Sequence, residues 1–107
     1  GPAVLLVGWG SSCEVLREVT AGLRARDIRA ACLCFTQVWP LRPETFLPRL
    51  ESARMVVAVE GNSTAQFAGL LRKTTGFHIG ESVLRYDGRA LTAGFVMERL
   101  EPILEAL

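Results

Sequence analysis

The stretch Val4-Leu5-Leu6-Val7-Gly8-Trp9-Gly10-Ser11-Ser12 decides the fold of this chain. An unbroken apolar run stops at two glycines and passes directly into a pair of serines. This pattern is typical of a buried parallel strand that turns sharply into a helix. Backbone N–H groups at such a junction point outward, so we expect a ligand or a partner to meet the chain here. Ser11, followed three residues later by Glu14, predicts a capping box at the start of the helix.

Three further strand-and-helix pairs follow along the chain. Apolar runs predict strands over residues 3–7, 30–35, 55–59 and 79–86. Helices with one apolar face are predicted to begin at Ser11, Pro43, Ser63 and Thr92. Gly76 suits the end of the third helix. Pro48 is expected to kink or split the second helix, and Pro102 to kink the fourth.

This alternation predicts an α/β fold with three layers, in which helices cover both faces of a parallel sheet. The first and third strands are the most apolar and should be central, whereas the more polar fourth strand should lie at an edge. Right-handed crossovers then favour the strand order 2-1-3-4. In that order the chain changes direction between strands 1 and 3, so the crevice beyond their carboxyl ends is the expected binding position.

Composition limits the classes of function. With 107 residues, half of them hydrophobic, the chain suits a single domain over residues 1–107, which we expect to be a fragment of a longer subunit. Twelve basic and eleven acidic residues leave a net charge of +1, which gives no reason to expect a nucleic acid as partner. No apolar segment reaches the roughly 20 residues that span a bilayer, and no leader pattern is present, so no membrane partner is expected either.

The three cysteines, Cys13, Cys32 and Cys34, are expected to be free thiols. Their odd number and the apolar surroundings of the last two favour a reducing cytoplasm. We expect Cys32 and Cys34 to be buried on opposite faces of their strand, where they cannot jointly hold a metal ion. Cys13 lies in the first turn of a helix and is expected to be the most reactive of the three.

Two features at the strand ends could carry chemistry. Gly8 and Gly10 lack the third glycine of a dinucleotide fingerprint, and no acidic residue follows the second strand, so we interpret the segment as a tight turn with Trp9 as a surface or interface aromatic. Glu60 is the carboxylate that ends an apolar strand. It could serve as a functional acid or simply hydrogen-bond the helix start near Asn62, and the absence of a partner carboxylate favours the second interpretation.

Four segments in order carry a family resemblance. They are Val7-Gly8-Trp9-Gly10-Ser11, Gln37-Val38-Trp39-Pro40, Val59-Glu60-Gly61-Asn62 with Gln66, and Tyr86-Asp87-Gly88-Arg89. Together they resemble the C-terminal domain of the alpha subunit of 2-oxoacid:ferredoxin oxidoreductases of the 2-oxoglutarate type, which corresponds to domain II of pyruvate:ferredoxin oxidoreductase. The resemblance covers nearly the whole chain.

The resemblance implies a transketolase C-terminal-like fold and a parent enzyme that oxidatively decarboxylates a 2-oxoacid to an acyl-CoA. That enzyme uses thiamine diphosphate with Mg²⁺, takes coenzyme A as a substrate, and passes electrons through iron–sulfur clusters to ferredoxin. The chain carries neither a diphosphate motif nor a set of cysteines for a cluster, so we expect this domain to bind no cofactor and to have no catalytic residue. Its implied role is assembly, and its implied partners are the other domains of the alpha subunit and the beta subunit.

The candidate crevice and interface residues all lie at the carboxyl ends of the predicted strands. They are Gly8, Trp9, Gly10, Ser11, Trp39, Glu60, Asn62, Gln66, Tyr86, Asp87 and Arg89. The two tryptophans are expected to anchor an interface with another domain or subunit. Two alternatives stay open: a free-standing module that binds a small anion in the crevice, and an oligomerisation domain of some other thiamine enzyme.

Overall fold

The structure, a computed structural model, describes residues 1–35, 42–61, 66–85 and 89–107, including their side chains except those of Ser11 and Gln66. Within these residues, four strands alternate with four helices. The strands are β1 (Val4–Trp9), β2 (Ala30–Phe35), β3 (Met55–Glu60) and β4 (Glu81–Leu84), and the helices are α1 (Cys13–Ala25), α2 (Pro43–Ser52), α3 (Gln66–Thr75) and α4 (Ala93–Leu104).

The strands form one parallel sheet in the order β2-β1-β3-β4, which confirms the predicted fold class and strand order. The apolar strands β1 and β3 are central, and β4 lies at an edge. β4 is shorter than predicted because its pairing with β3 runs only from Glu81 to Leu84. Ile79, which was expected to begin this strand, is buried by packing on α2 and α3 without joining the sheet.

Side chains of β1 alternate between two cores, one on each face of the sheet. Val4 and Leu6 pack beneath α1 and α4, whereas Leu5 and Val7 pack beneath α2 and α3, and all four are fully buried. The helices contribute their apolar faces to these cores. On the first face these are Leu16, Val19, Leu23, Val96 and Leu100, and on the second Phe46, Leu50, Phe67 and Leu71. The arrangement is the three-layer α/β/α fold that the sequence predicts.

The helix after β1 begins differently from the prediction. A 3₁₀ turn, Gly10–Ser12, comes first, and α1 starts only at Cys13. The predicted capping box of Ser11 and Glu14 is therefore wrong, because Ser11 lies inside the 3₁₀ turn. The hydroxyl of Ser12 instead donates a 2.8 Å hydrogen bond back to the carbonyl of Trp9.

Two other predicted helix ends are confirmed, while a third lies outside the described residues. The N–H of Phe95 donates to Thr92 Oγ1 over 3.2 Å at the start of α4. Gly76 ends α3 with φ of +80° and donates its N–H to the carbonyl of Arg72. The cap predicted at Ser63 falls in the part of the chain that the structure does not describe.

The two interior prolines do not interrupt their helices. α2 begins with Pro43, as predicted, and continues through Pro48, so the expected split into two turns is wrong. Pro48 is exposed and removes one backbone hydrogen bond, while the buried side chains of Phe46 and Leu50 hold both halves of the helix against the sheet. α4 likewise runs through Pro102. None of the helices in the described residues combines the length and apolarity needed to cross a bilayer.

The three cysteines are free, as predicted, but their placement corrects two expectations. Cys32 and Cys34 pack on the same face of the sheet, against the core beneath α1 and α4. This follows from strand geometry, in which residues two apart share a face. Cys13, the first residue of α1, is the most buried of the three at 6% exposure, so burial does not support its expected reactivity.

Candidate functional site

A crevice of about 410 Å³ opens beyond the carboxyl ends of β1 and β3. We call it the carboxyl-end crevice, and its lining residues are Trp9, Gly10, Ser12, Glu60, Gly61, Arg89, Ala90 and Leu91. From β1 the chain crosses to β2 on one side of the sheet, and from β3 it continues to β4 on the other. The crevice therefore lies at the position predicted for ligand binding in an open α/β sheet.

Two glycines shape one wall of the crevice without supplying chemistry. A Cβ atom on Gly8 would lie 2.8 Å from both Leu16 Cδ1 and Ser12 Oγ, so only glycine lets α1 approach β1 this closely. Gly10 has a φ of +63°, which starts the 3₁₀ turn and favours a residue without a Cβ atom. Of these two glycines, Gly10 lines the opening and Gly8 does not.

The carboxylate of Glu60 is bound to the start of α3. The side chain is only 1% exposed, and its two oxygens accept hydrogen bonds from the N–H groups of Phe67 at 2.6 Å and Ala68 at 3.2 Å. Partial positive charge at a helix N-terminus stabilises a carboxylate in this position. The contact supports the interpretation that Glu60 hydrogen-bonds a helix start, with Phe67 and Ala68 as the donors.

Trp9 forms the apolar side of the crevice. Its side chain is 41% exposed, whereas the other large hydrophobic side chains in the described residues are buried or partly buried. One face of its ring stacks on Phe67, with centroids 6.1 Å apart and planes inclined by 24°. Phe67 in turn meets Phe35 edge-on at 4.9 Å. Trp9 is thus held against the core on one side and open to solvent on the other.

The structure brings together some of the predicted site residues and leaves others undescribed. Trp9, Gly10, Glu60 and Arg89 line the carboxyl-end crevice. Ser11 lies in the adjoining 3₁₀ turn and Gln66 is the first residue of α3. Four predicted site residues lie outside the described residues: Trp39, Asn62, Tyr86 and Asp87.

Three contributors to the crevice were missed by reasoning from the sequence. Ser12 was overlooked because its hydroxyl bond to Trp9 depends on the 3₁₀ turn, which no residue pattern signalled. Phe67 was assigned only to the core, although its position in the first turn of α3 also places it beneath Trp9. Leu91 lines the opening but carries no sequence signal that separates it from an ordinary loop residue.

The described residues offer no set of ligands for the metal ion or the iron–sulfur clusters that the family resemblance implies. They contain no group of three or more His, Cys, Asp or Glu side chains that could hold a metal ion. An iron–sulfur cluster needs thiolates. Burial, followed by the neighbouring Cys13, raises the pKa of the Cys34 thiol to about 12 and keeps it protonated near neutral pH.

Comparison with known proteins finds no matching family model. The chain is similar to curated alpha subunits: it is 33% identical over 105 residues to that of 2-oxoacid:ferredoxin oxidoreductase 1 from Aeropyrum pernix. It is 30% identical over 103 residues to the alpha subunit of the second such enzyme from the same organism. These matches cover 95% and 96% of the chain, respectively, and the chain spans 16% of the length of each relative.

Two solved structures share the fold. One is a 2-oxoglutarate:ferredoxin oxidoreductase from Magnetococcus marinus with 2-oxoglutarate, coenzyme A and succinyl-CoA bound. It superposes with a TM-score of 0.86 over 94% of this chain and 18% of its own chain. At 20% sequence identity, this likeness concerns the fold alone. The alpha chain of a probable 2-oxoacid ferredoxin oxidoreductase from Thermoplasma acidophilum is 30% identical, with a TM-score of 0.67, over 98% of this chain and 90% of its own. The chain therefore belongs to the 2-oxoacid:ferredoxin oxidoreductase alpha-subunit family.

Proposed function

We propose that residues 1–107 form one domain of a longer alpha subunit and support the assembly of a 2-oxoacid:ferredoxin oxidoreductase. The whole complex, in the cytoplasm, would oxidatively decarboxylate a 2-oxoacid of the 2-oxoglutarate type to an acyl-CoA and pass the electrons to ferredoxin. Thiamine diphosphate, Mg²⁺ and the iron–sulfur clusters would be held by other parts of that complex. Membership of the alpha-subunit family supports this proposal. So does the length of the curated relatives, of which the chain spans only 16%.

The observation that supports a non-catalytic role is the burial and hydrogen bonding of the Glu60 carboxylate. Acid–base catalysis requires a proton-transfer group within hydrogen-bond reach of the substrate. Glu60 is the carboxylate in the lining of the carboxyl-end crevice, and its two oxygens accept hydrogen bonds from backbone N–H groups in the first turn of α3. Its burial and these bonds commit it to holding the fold together, which leaves the crevice better suited to docking than to proton transfer.

The docking role rests on Trp9 and its surroundings. A half-exposed indole ring backed by Phe67 offers a rigid apolar surface, and Leu91 adds to it across the crevice. Central aromatic residues of this kind commonly dominate the binding energy of an interface. We propose that this face packs against another domain of the alpha subunit or against the beta subunit.

Two arms of one experiment test the proposal. The 107-residue chain is assayed alone with 2-oxoglutarate, coenzyme A, thiamine diphosphate, Mg²⁺ and a viologen acceptor, and no turnover is expected. The full-length alpha subunit lacking residues 1–107 is then combined with the beta subunit, and loss of assembly is expected, with recovery when the chain is added back. Turnover by the chain alone, or normal assembly and activity without it, would contradict the proposal.

A free-standing module that binds a small anion in the carboxyl-end crevice is the second candidate. The 3₁₀ turn at Gly10 precedes the N-terminus of α1 and lines the same opening as Arg89, which is favourable for an anion. Titration with phosphate, followed by NMR, separates the two candidates. Saturable shifts of the Gly10 and Gly61 amides would favour the anion module, and their absence would favour docking.

A further inference from the structure

A second concave site lies at the free edge of β2 and shares no lining residue with the carboxyl-end crevice. It has a volume of about 290 Å³ and lies between α1, α2 and the edge strand. Arg17 and Arg24 line it from α1, and Arg49 lines it from α2. We call it the arginine pocket. Three cationic side chains around one concavity distinguish it from an ordinary solvated surface.

Two of these arginines are positioned by the backbone of the edge strand. Arg24 Nε donates a 2.8 Å hydrogen bond to the carbonyl of Ala30, and Arg49 donates one of 3.1 Å to the carbonyl of Cys32. A guanidinium has five N–H donors, so both side chains retain donors after making these bonds. The bonds to β2 hold the two guanidinium groups at the pocket and reduce the side-chain entropy that a ligand would have to remove.

The positive charge of the pocket is not neutralised by neighbouring carboxylates in the described residues. Arg17, Arg24 and Arg49 form no ion pair there, whereas Arg26 pairs with Glu101 on the exposed surface. Arg17 also makes no hydrogen bond with a described residue, so its guanidinium is fully free to bind a ligand. Three unneutralised guanidinium groups in one concavity favour an anion.

Thr20 provides an independent indication of a ligand. It lines the same pocket and is only 5% exposed, and its buried hydroxyl has no hydrogen-bond partner among the described residues. A buried hydroxyl without a partner is unfavourable, because it has lost its bonds to water without replacing them. An anion held by the three arginines would supply the missing acceptor.

We propose that the arginine pocket binds the phosphate group of a small phosphorylated molecule. A phosphate monoester carries a charge close to −2 and three acceptor oxygens, which matches three guanidinium groups better than a single carboxylate does. Arginine binds such groups with paired, parallel hydrogen bonds. The volume of about 290 Å³ lies at the lower end of ligand pockets and suits a small molecule rather than a whole nucleotide.

Calorimetric titration of the 107-residue chain with inorganic phosphate at constant ionic strength tests the proposal. Saturable binding at one site is expected, and Arg17→Gln should weaken it about tenfold, since charge-assisted hydrogen bonds to an anion contribute about that factor. Arg17 makes no bond with the described fold, so this variant should remain folded. Arg72→Gln, which makes the same charge change on α3 outside the pocket, should leave the affinity unchanged.

Two further measurements locate the site and identify the ligand class. NMR shifts during the titration should centre on the amides of Thr20 and Cys32 rather than on Gly10 and Gly61. Thr20→Val, which replaces the hydroxyl by a methyl group, should weaken phosphate binding while the chain stays folded. Succinate should bind more weakly than phosphate. The absence of saturable binding, equal affinity of Arg17→Gln, or a preference for succinate would overturn the proposal, the last in favour of a carboxylate from a neighbouring polypeptide.

Discussion

The backbone N–H of Phe67 donates a 2.6 Å hydrogen bond to the carboxylate of Glu60 and thereby ties the first turn of α3 to the last residue of β3. The ring of the same phenylalanine supports Trp9 from below. One residue therefore connects the buried charge, the helix start and the exposed aromatic of the carboxyl-end crevice. A substitution of Glu60 should therefore shift Phe67 and, through it, the position of Trp9 on the surface that we propose for docking.

Glu60→Gln should destabilise the fold by about 1–3 kcal/mol, because an amide group can accept only one of the two backbone N–H bonds and leaves the other donor unpaired. Urea unfolding of the 107-residue chain measures the change. Glu18→Gln, an exposed position in α1, is the matched control and should change the free energy of unfolding by less than about 0.5 kcal/mol. Equal stability of the two variants would show that the bonds to α3 do not hold the fold.

Gly8→Ala and Gly22→Ala should have opposite effects on stability. A methyl group at Gly8 meets Leu16 and Ser12 at 2.8 Å, and forcing α1 away from β1 should cost about 1–3 kcal/mol. A methyl group at Gly22 in α1 meets nothing within 4 Å and should add up to about 1 kcal/mol through helix propensity. Thermal or urea unfolding of both variants measures the difference. A Gly8→Ala protein as stable as the parent would rule out the close helix contact.

Cys34 should remain a thiol to an unusually high pH. Burial, and then the neighbouring Cys13, raises its pKa from 9.0 to about 12, so the folded state disfavours the thiolate. Because the folded pKa is the higher one, the stabilising contribution is complete below pH 9 and is lost as the pH rises towards about 12. Urea unfolding at pH 8 and at pH 10.5 should show a larger loss of stability in the parent than in Cys34→Ala. Identical losses in both proteins would contradict the shift.

The order of thiol reactivity follows from burial as well. Cys13 is buried and Cys34 stays protonated, so the half-buried Cys32 should react first with iodoacetamide at pH 8. Peptide mapping by mass spectrometry after timed labelling identifies the modified residue. Labelling of Cys13 ahead of Cys32 would support the order expected from its place in the first turn of α1.

Strong local patterns explain why the fold could be predicted from the sequence. The apolar runs around Val4–Val7 and Val57–Val59 are unbroken, whereas a half-exposed strand alternates apolar and polar residues, so both strands are central in the sheet. Right-handed crossovers then leave one favourable strand order. The 3₁₀ turn at Gly10–Ser12 could not be predicted, because glycine followed by serine is equally typical of an α-helix that serine caps directly. The shared face of Cys32 and Cys34 was predictable, because residues two apart in a strand lie on the same face, and the expectation of opposite faces was wrong.

The candidate site was predictable in position but only partly in composition. Strand ends in an open parallel sheet meet at one edge, so Trp9, Glu60 and Arg89 could be grouped before the structure was known. The arginine pocket escaped prediction because Arg17 and Arg49 come from helices far apart in sequence, and isolated arginines on helices are typical of solvated faces. Only the packing of α1 and α2 beside the edge of β2 brings them together.

The proposed docking face is tested by the assembly of the full-length alpha subunit carrying Trp9→Ala with its beta subunit. The indole ring is exposed and rests on Phe67, so the isolated 107-residue chain should lose little stability, about 1 kcal/mol from the lost aromatic contact. A central aromatic anchor contributes about 2 kcal/mol or more, so association should be at least about 30-fold weaker and turnover should fall in parallel. Arg72→Ala on α3 serves as the control and should assemble normally. Trp39→Ala tests the companion tryptophan in the same assay. If Trp9→Ala assembles and turns over like the parent, the carboxyl-end crevice is not the docking face. The same conclusion follows if the isolated chain carrying Trp9→Ala unfolds while association with the beta subunit is unchanged.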